Sequence, residues 1–156
     1  MGFLKCFGYL AASGIGGFAL GRLLPKKWFC WDRFPYKTLR FEQGGRIYHK
    51  LRIRKWQNRL PDMSRILPSV MPAKKLTEGM NAEKLAVMLR ETCVAELIHA
   101  LFMFTGFVCI PLWPGCGGII LSVLYALGNL PFVLIQRYNR PRLLRLYERA
   151  AGEVCL

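Results

Sequence analysis

Three ionisable side chains stand close together in the stretch "RETCVAELIHALF": Glu91, Glu96 and His99. Glu96 and His99 are three residues apart, so on a helix they share a face, where a carboxylate can orient an imidazole and stabilise its charged form. An imidazole held in this way can act as a general base. The residues around the pair are apolar. Ionisable groups at bilayer depth cost several kcal/mol even on the milder scales, so they normally face a cavity or a partner. His99 and Glu96 are therefore the candidate catalytic pair. A structural reading stands beside this one, in which the same spacing makes an interfacial polar face ion-paired with Arg137 or Arg140.

A second set lies in "GNLPFVLIQRYNRPRLLRL". Asn129 and Pro131 interrupt an apolar run that ends abruptly in Gln136, Arg137, Tyr138, Asn139, Arg140 and Arg142. A plain membrane anchor needs neither the interruption nor the arginines. Guanidinium groups bind anionic groups through paired hydrogen bonds, which makes this a candidate substrate-binding motif. Here too a structural reading is open: Asn129 as an interhelical hydrogen bond, the arginines as topological anchors or headgroup contacts.

The elements that must position these residues follow from composition. The chain has 156 residues, 53% of them hydrophobic, with a net charge of +14. Strong basicity fits nucleic acid, but nucleic-acid modules do not carry uncharged apolar runs of about 20 residues. An anionic bilayer surface is the expected partner, and no nucleic acid. The fold class is all-α: an integral membrane protein with about three transmembrane helices and a basic amphipathic interfacial segment between the first and second. The whole chain, 1–156, reads as a single membrane domain. It comprises a span over about 2–24, the interfacial segment 25–80, a helix running into the second span over 81–113, a third span over 119–136 and a basic tail over 137–156.

The first segment also has the pattern of a signal peptide, with Lys5 as its basic region. Cleavage would export the stretch from Arg22 to Lys75, which carries fifteen Lys or Arg residues against Asp32, Glu42 and Asp62. By the positive-inside rule that stretch belongs in the cytoplasm, with the N-terminus outside and the C-terminus cytoplasmic in a multi-pass protein of the cell membrane. Within it, "YHKLRIRKWQNRLPD" predicts a short amphipathic helix stopping before Pro61, and "RILPSVMPAKKLTEGM" a linker. His49 reads as a solvated surface histidine. Asn81 is a plausible N-cap for the next helix.

Trp113 to Gly118 form a tight turn on sequence. If the flanking spans fold back on each other there, residues whose numbers add to roughly 230 share a depth. His99 then stands opposite Pro131 with Asn129 within a helical turn, and Gln136, Arg137 and Asn139 approach Glu91. The expected result is a polar pocket walled by Asn129 and Pro131 and closed by the arginines. Cysteine spacing gives no CxxC pair and no zinc-finger combination with His49 or His99, so neither a disulfide framework nor a metal site is expected.

"RKW" at 54–56, "ETCVAELIHAL" at 91–101 and "NLPFVLIQRYNRPRL" at 129–143 resemble, in order and spacing, the glycosyl-4,4'-diaponeurosporenoate acyltransferase family of staphyloxanthin biosynthesis. The likeness extends from about 41 to 143. It implies transfer of a fatty acyl chain to a sugar hydroxyl on a glycosylated carotenoid acid. The matching positions are Arg54, Lys55, Trp56, Glu91, Ala95, Glu96, His99, Asn129, Pro131, Gln136, Arg137, Tyr138, Asn139, Arg140 and Arg142; Gly45 and Lys50 match more loosely and His49 does not. The chemistry the resemblance implies suits the residues: His99 as base, Glu96 as its orienting partner, Arg137 or Asn139 as oxyanion or phosphate contacts. No HxxxxD box, GxSxG elbow or phosphate-cradling glycine loop is present. The expectation is a membrane O-acyltransferase taking its acyl group from a coenzyme A or carrier-protein thioester, without a further cofactor. The acceptor is a hydroxyl of a glycolipid or glycosylated isoprenoid, and a homodimer could help enclose two lipid substrates. The alternatives are a lipid-binding scaffold subunit and a small membrane methyltransferase or reductase.

Overall fold

The computed structural model describes residues 1–60 and 80–153. Every regular element among them is helical. The α-helices are α1 (Gly2–Leu23), α2 (Arg46–Lys50), α3 (Ile53–Trp56), α4 (Ala82–Thr105), α5 (Cys109–Leu112) and α6 (Cys116–Glu153), with short 3-10 turns between several of them. Three stretches, Gly2–Leu23, Ala82–Leu112 and Cys116–Gly152, are long and apolar enough to cross a membrane. This is the architecture of a multi-pass membrane protein. The chain divides into two compact units, Met1–Phe29 with Cys93–Gln136, and Cys30–Thr92 with Arg137–Leu156.

The first unit is the apolar one. Leu24, extended ahead of Pro25, ends α1, as expected of a residue that precedes proline. Small residues let its helices touch: a methyl added at Gly17 would collide with the Phe102 ring, and one at Gly118 with the backbone carbonyls of Trp113 and Cys109. Where α4 gives way to a 3-10 turn at Gly106–Val108, the carbonyl of Thr105 accepts from the Tyr9 hydroxyl (3.1 Å) and that of Gly106 from the Ser122 hydroxyl (2.9 Å). Lipid offers no water to do this, so side chains must. Large apolar side chains such as Phe7, Ile15, Phe104, Ile120 and Leu124 are exposed, as a lipid-facing surface requires.

The turn at 113–118 is present but shorter than expected, with Gly115 at φ +100 supplying the left-handed residue and helix resuming at Cys116. The expected third span and tail are one helix. α6 runs 38 residues, about 57 Å at the usual rise, through both Pro131 and Pro141. Proline removes one intrahelical hydrogen bond but does not end a helix whose neighbours support it, and the Arg- and Leu-rich sequence beyond Arg137 favours helix.

The second unit centres on buried Leu85, Leu89 and Leu143, with Trp31, Met88 and Tyr147 packed against them. Trp31 meets Tyr147 edge-on at 5.6 Å, and the Arg90 guanidinium lies 5.7 Å from the Trp31 ring. Asn81 caps α4 as expected, its Oδ1 accepting from the Lys84 backbone N–H at 3.1 Å. The helix expected within 48–62 is broken in two: Arg52 sits at φ +50 between α2 and α3. The buried residues here are Tyr48 and Ile53, five positions apart. A continuous helix would point them about 140° apart, so burying both requires a break. The expected linker lies, but for Met80, outside the described residues.

Candidate functional site

The expected site residues divide between the two units. Glu96, His99, Asn129 and Gln136 belong to the first, and Arg54, Lys55, Trp56, Glu91, Arg137, Tyr138, Asn139, Arg140 and Arg142 to the second.

In the apolar unit the hairpin register derived from the turn holds. His99 on α4 meets Asn129 on α6, Nδ1 to Oδ1 at 3.0 Å. Its ring stacks on Phe132 at 4.5 Å, nearly parallel, and meets Phe102 edge-on at 6.0 Å. Asn129 Nδ2 donates to the Tyr125 carbonyl at 2.9 Å. That last bond fixes the chemistry. A carbonyl can only accept, so the amide nitrogen must point at Tyr125 and the amide oxygen at His99. Nδ1 of a neutral imidazole must then carry the hydrogen, and Nε2 keeps the lone pair. Packing between two aromatic rings holds the imidazole plane. Glu96, buried one turn before His99, is the sole Asp or Glu in this unit. The sequence reading gave the orienting role to Glu96; the structure puts Asn129 on His99 Nδ1. Pro131 was expected opposite His99, and Phe132 next to it supplies the contact.

The basic unit holds a charged network. Glu42, 2% exposed, accepts from the Leu39 backbone N–H at 2.6 Å through one carboxylate oxygen, and through the other from the Tyr48 hydroxyl and from Arg137 Nη1 at 2.8 Å. Burial by itself would raise the carboxyl pKa; the bonds from Tyr48, Arg137 and Leu39, with the Arg137 charge, outweigh it and hold Glu42 below its ordinary value. Arg137 also donates through Nη2 to the Pro35 carbonyl at 2.7 Å. Arg140, 3% exposed, donates to Thr92 Oγ1 at 3.0 Å and to the Tyr36 carbonyl at 2.8 Å, and lies over the Tyr36 ring. The Thr92 hydroxyl passes its own hydrogen to the Leu89 carbonyl at 2.7 Å. These two arginines of the motif clamp the segment around Pro35 and Tyr36 to α6.

Arg142 is different. It is exposed, lies 5.0 Å above the buried Tyr138 ring and donates to the Tyr138 hydroxyl at 2.9 Å. Asn139 is half-buried, and Glu91 and Gln136 likewise. Arg54 and Lys55 are exposed on α3, while Trp56 donates its ring N–H to the Leu51 carbonyl at 3.0 Å. His49 is exposed with its ring edge-on to Tyr138. Sequence reasoning missed Glu42 and Tyr48. The available signal was Glu42 itself, one of three acids in a long basic stretch.

The fold defines a helical, multi-pass membrane protein with a histidine oriented by Asn129 in its apolar unit. The sequence profile of the glycosyl-4,4'-diaponeurosporenoate acyltransferase family matches residues 25–149. The chain belongs to this family and is an acyltransferase. A protein of that name from Staphylococcus aureus strain bovine RF122 / ET3-1 is 30% identical over 129 residues, covering 81% of this chain and 76% of the relative. Its counterpart in strain N315 is 28% identical over 131 residues with the same coverage. No solved structure matches the chain.

Proposed function

We propose that this chain transfers a fatty acyl chain from an acyl thioester to a hydroxyl of a glycolipid or glycosylated isoprenoid, at the cytoplasmic face of the cell membrane. The name borne by its S. aureus relatives supports a glycosylated isoprenoid acceptor. The observation that carries the reaction is the Tyr125–Asn129–His99 chain of hydrogen bonds, which directs Nδ1–H at Asn129 so that the neutral imidazole presents its lone pair at Nε2. His99 takes the acceptor hydroxyl proton at Nε2 as the oxygen bonds to the thioester carbon. The imidazolium then returns a proton to the departing sulfur as the C–S bond breaks, and an ester and a free thiol result. Asn129 fixes the tautomer, and Glu96 supplies negative charge one turn away while the imidazole is protonated. Of the arginine motif, Arg142 and Asn139 contact substrate, and Arg54 and Lys55 add to the basic surface that draws in an anionic donor. Arg137 and Arg140 brace the fold around them.

The test is acyl transfer by the purified protein in detergent, given radiolabelled acyl thioester and a native lipid extract, beside a His99→Ala variant shown to be folded. Labelled lipid from the parent and a fall of about 100-fold or more in the variant is the expected result. Equal product from both removes His99 from the chemistry. Absence of product from a parent that still binds lipid favours a scaffold instead.

A further inference from the structure

The second unit contains a groove of about 430 Å³ along the C-terminal part of α6; two of its lining residues, Asn139 and Arg142, are those given substrate contact above, and Arg145 and Arg149 extend it beyond them. Arg142, Arg145 and Arg149 line it with Asn139, over an apolar floor that includes Leu146 and Met88. Its volume falls within the range of small-molecule sites. Among the described residues no acidic side chain lines the groove, and its three arginines are all exposed. They follow one another at helical spacing, so their Cα atoms spread over roughly 10 Å of helix. Arg142 is held in place by its bond to Tyr138 and its seat over that ring.

We propose that this groove binds the coenzyme A end of the acyl donor, an assignment that rests on the thioester chemistry of the reading above. The match is one of charge distribution. A phospholipid headgroup carries a single phosphodiester, which one guanidinium fork satisfies. Coenzyme A carries a 5'-diphosphate and a separate 3'-phosphate on a ribose that also bears a flat adenine. Three guanidinium groups spread along a helix suit phosphates spread along a molecule, and Leu146 and Met88 offer adenine an apolar floor. The Asn139 amide can both donate to and accept from the base or a phosphate oxygen.

The experiment is calorimetric titration of the intact protein in lipid nanodiscs with coenzyme A and with 3'-dephospho-coenzyme A, in the parent, Arg145→Gln, Arg149→Gln and the double variant, repeated with phosphatidylglycerol added to the disc. Arg145 and Arg149 are exposed, so the folded variants remain measurable, and circular dichroism checks this. The expected result is a Kd for coenzyme A weakened roughly tenfold per arginine removed, with a smaller loss for the dephospho compound because one partner phosphate is already gone. Equal coenzyme A affinity in parent and double variant overturns the proposal. So does failure of coenzyme A to bind at all, whether phosphatidylglycerol or an acyl carrier protein takes its place. His99→Ala separates the two readings: coenzyme A binding retained there while the parent makes no ester leaves the groove assigned and removes the acyltransfer mechanism, whereas ester formation without arginine-dependent binding does the reverse.

Discussion

The two units satisfy their buried polar groups by different chemistry. In the apolar unit, Tyr9, Ser122, Asn129 and His99 engage one another or backbone carbonyls as neutral hydrogen-bonding groups, and Glu96 is the lone acid. In the basic unit the corresponding work falls to ions, Glu42 with Arg137 and Arg140 with backbone and hydroxyl oxygens. The difference follows the solvent. An ion exposed to hydrocarbon cannot recover its hydration energy, so membrane helices fix their polar residues with neutral partners and reserve charge for function. Beside water, a buried carboxylate is sustainable when several donors converge on it, and it then ties distant segments together. The neutral network orients a histidine ring, and the ionic network ties distant segments together.

The largest expected effect tests the ionic side. Glu42→Ala leaves Arg137 without its carboxylate and should destabilise the basic unit by about 3 kcal/mol, seen as faster limited proteolysis within 30–60. The apolar unit's near-ultraviolet signature should hardly move; if both units melt together, the contrast between them fails. The neutral side is tested by Asn129→Leu, which keeps the branched shape and removes the tautomer lock. It should lower kcat by about 10- to 100-fold with KM nearly unchanged, and shift the nitrogen NMR signals of His99 towards mixed tautomers. An unchanged tautomer would mean that something other than Asn129 orients the ring.

Acid separates the two networks. Glu42 has a folded pKa below its ordinary 4.5, so its contribution to stability is complete above that value and is lost as pH falls through the lowered folded one. Proteolytic protection of 30–60 should therefore drop at acid pH in the parent and lose that dependence in Glu42→Gln. The smallest effect is expected at Arg52, where a left-handed residue other than glycine carries local strain. Arg52→Gly should stabilise the basic unit by up to about 1 kcal/mol in a thermal melt, and a loss of stability would show the arginine side chain to be needed there.

Much of the apolar unit was legible in the sequence. Apolar run length gave the three spans, and counting outward from the turn at Gly115 brought Asn129 to His99, because antiparallel helices joined by a tight turn have little freedom in depth. The basic unit was far less legible. Arg137 and Glu42 lie 95 residues apart, and neither periodicity nor spacing marks a pairing of that range. The break at Arg52 escaped because alternating basic and apolar residues fit a helix locally, and only the joint burial of Tyr48 and Ile53 forbids it. The continuity of α6 escaped because its arginines and prolines read as an ending.

The sequence by itself determined that this chain enters a membrane, how many helices do so and where its polar residues concentrate, since those depend on hydrophobicity and length, which are properties of single segments. Only the tertiary structure decided which partner each polar residue takes. It gave His99 to Asn129 rather than Glu96, turned Arg137 and Arg140 inward and left Arg142 facing out. The reason is that a hydrogen bond depends on two atoms coming within about 3 Å, and for residues far apart in the chain that distance is set by packing alone.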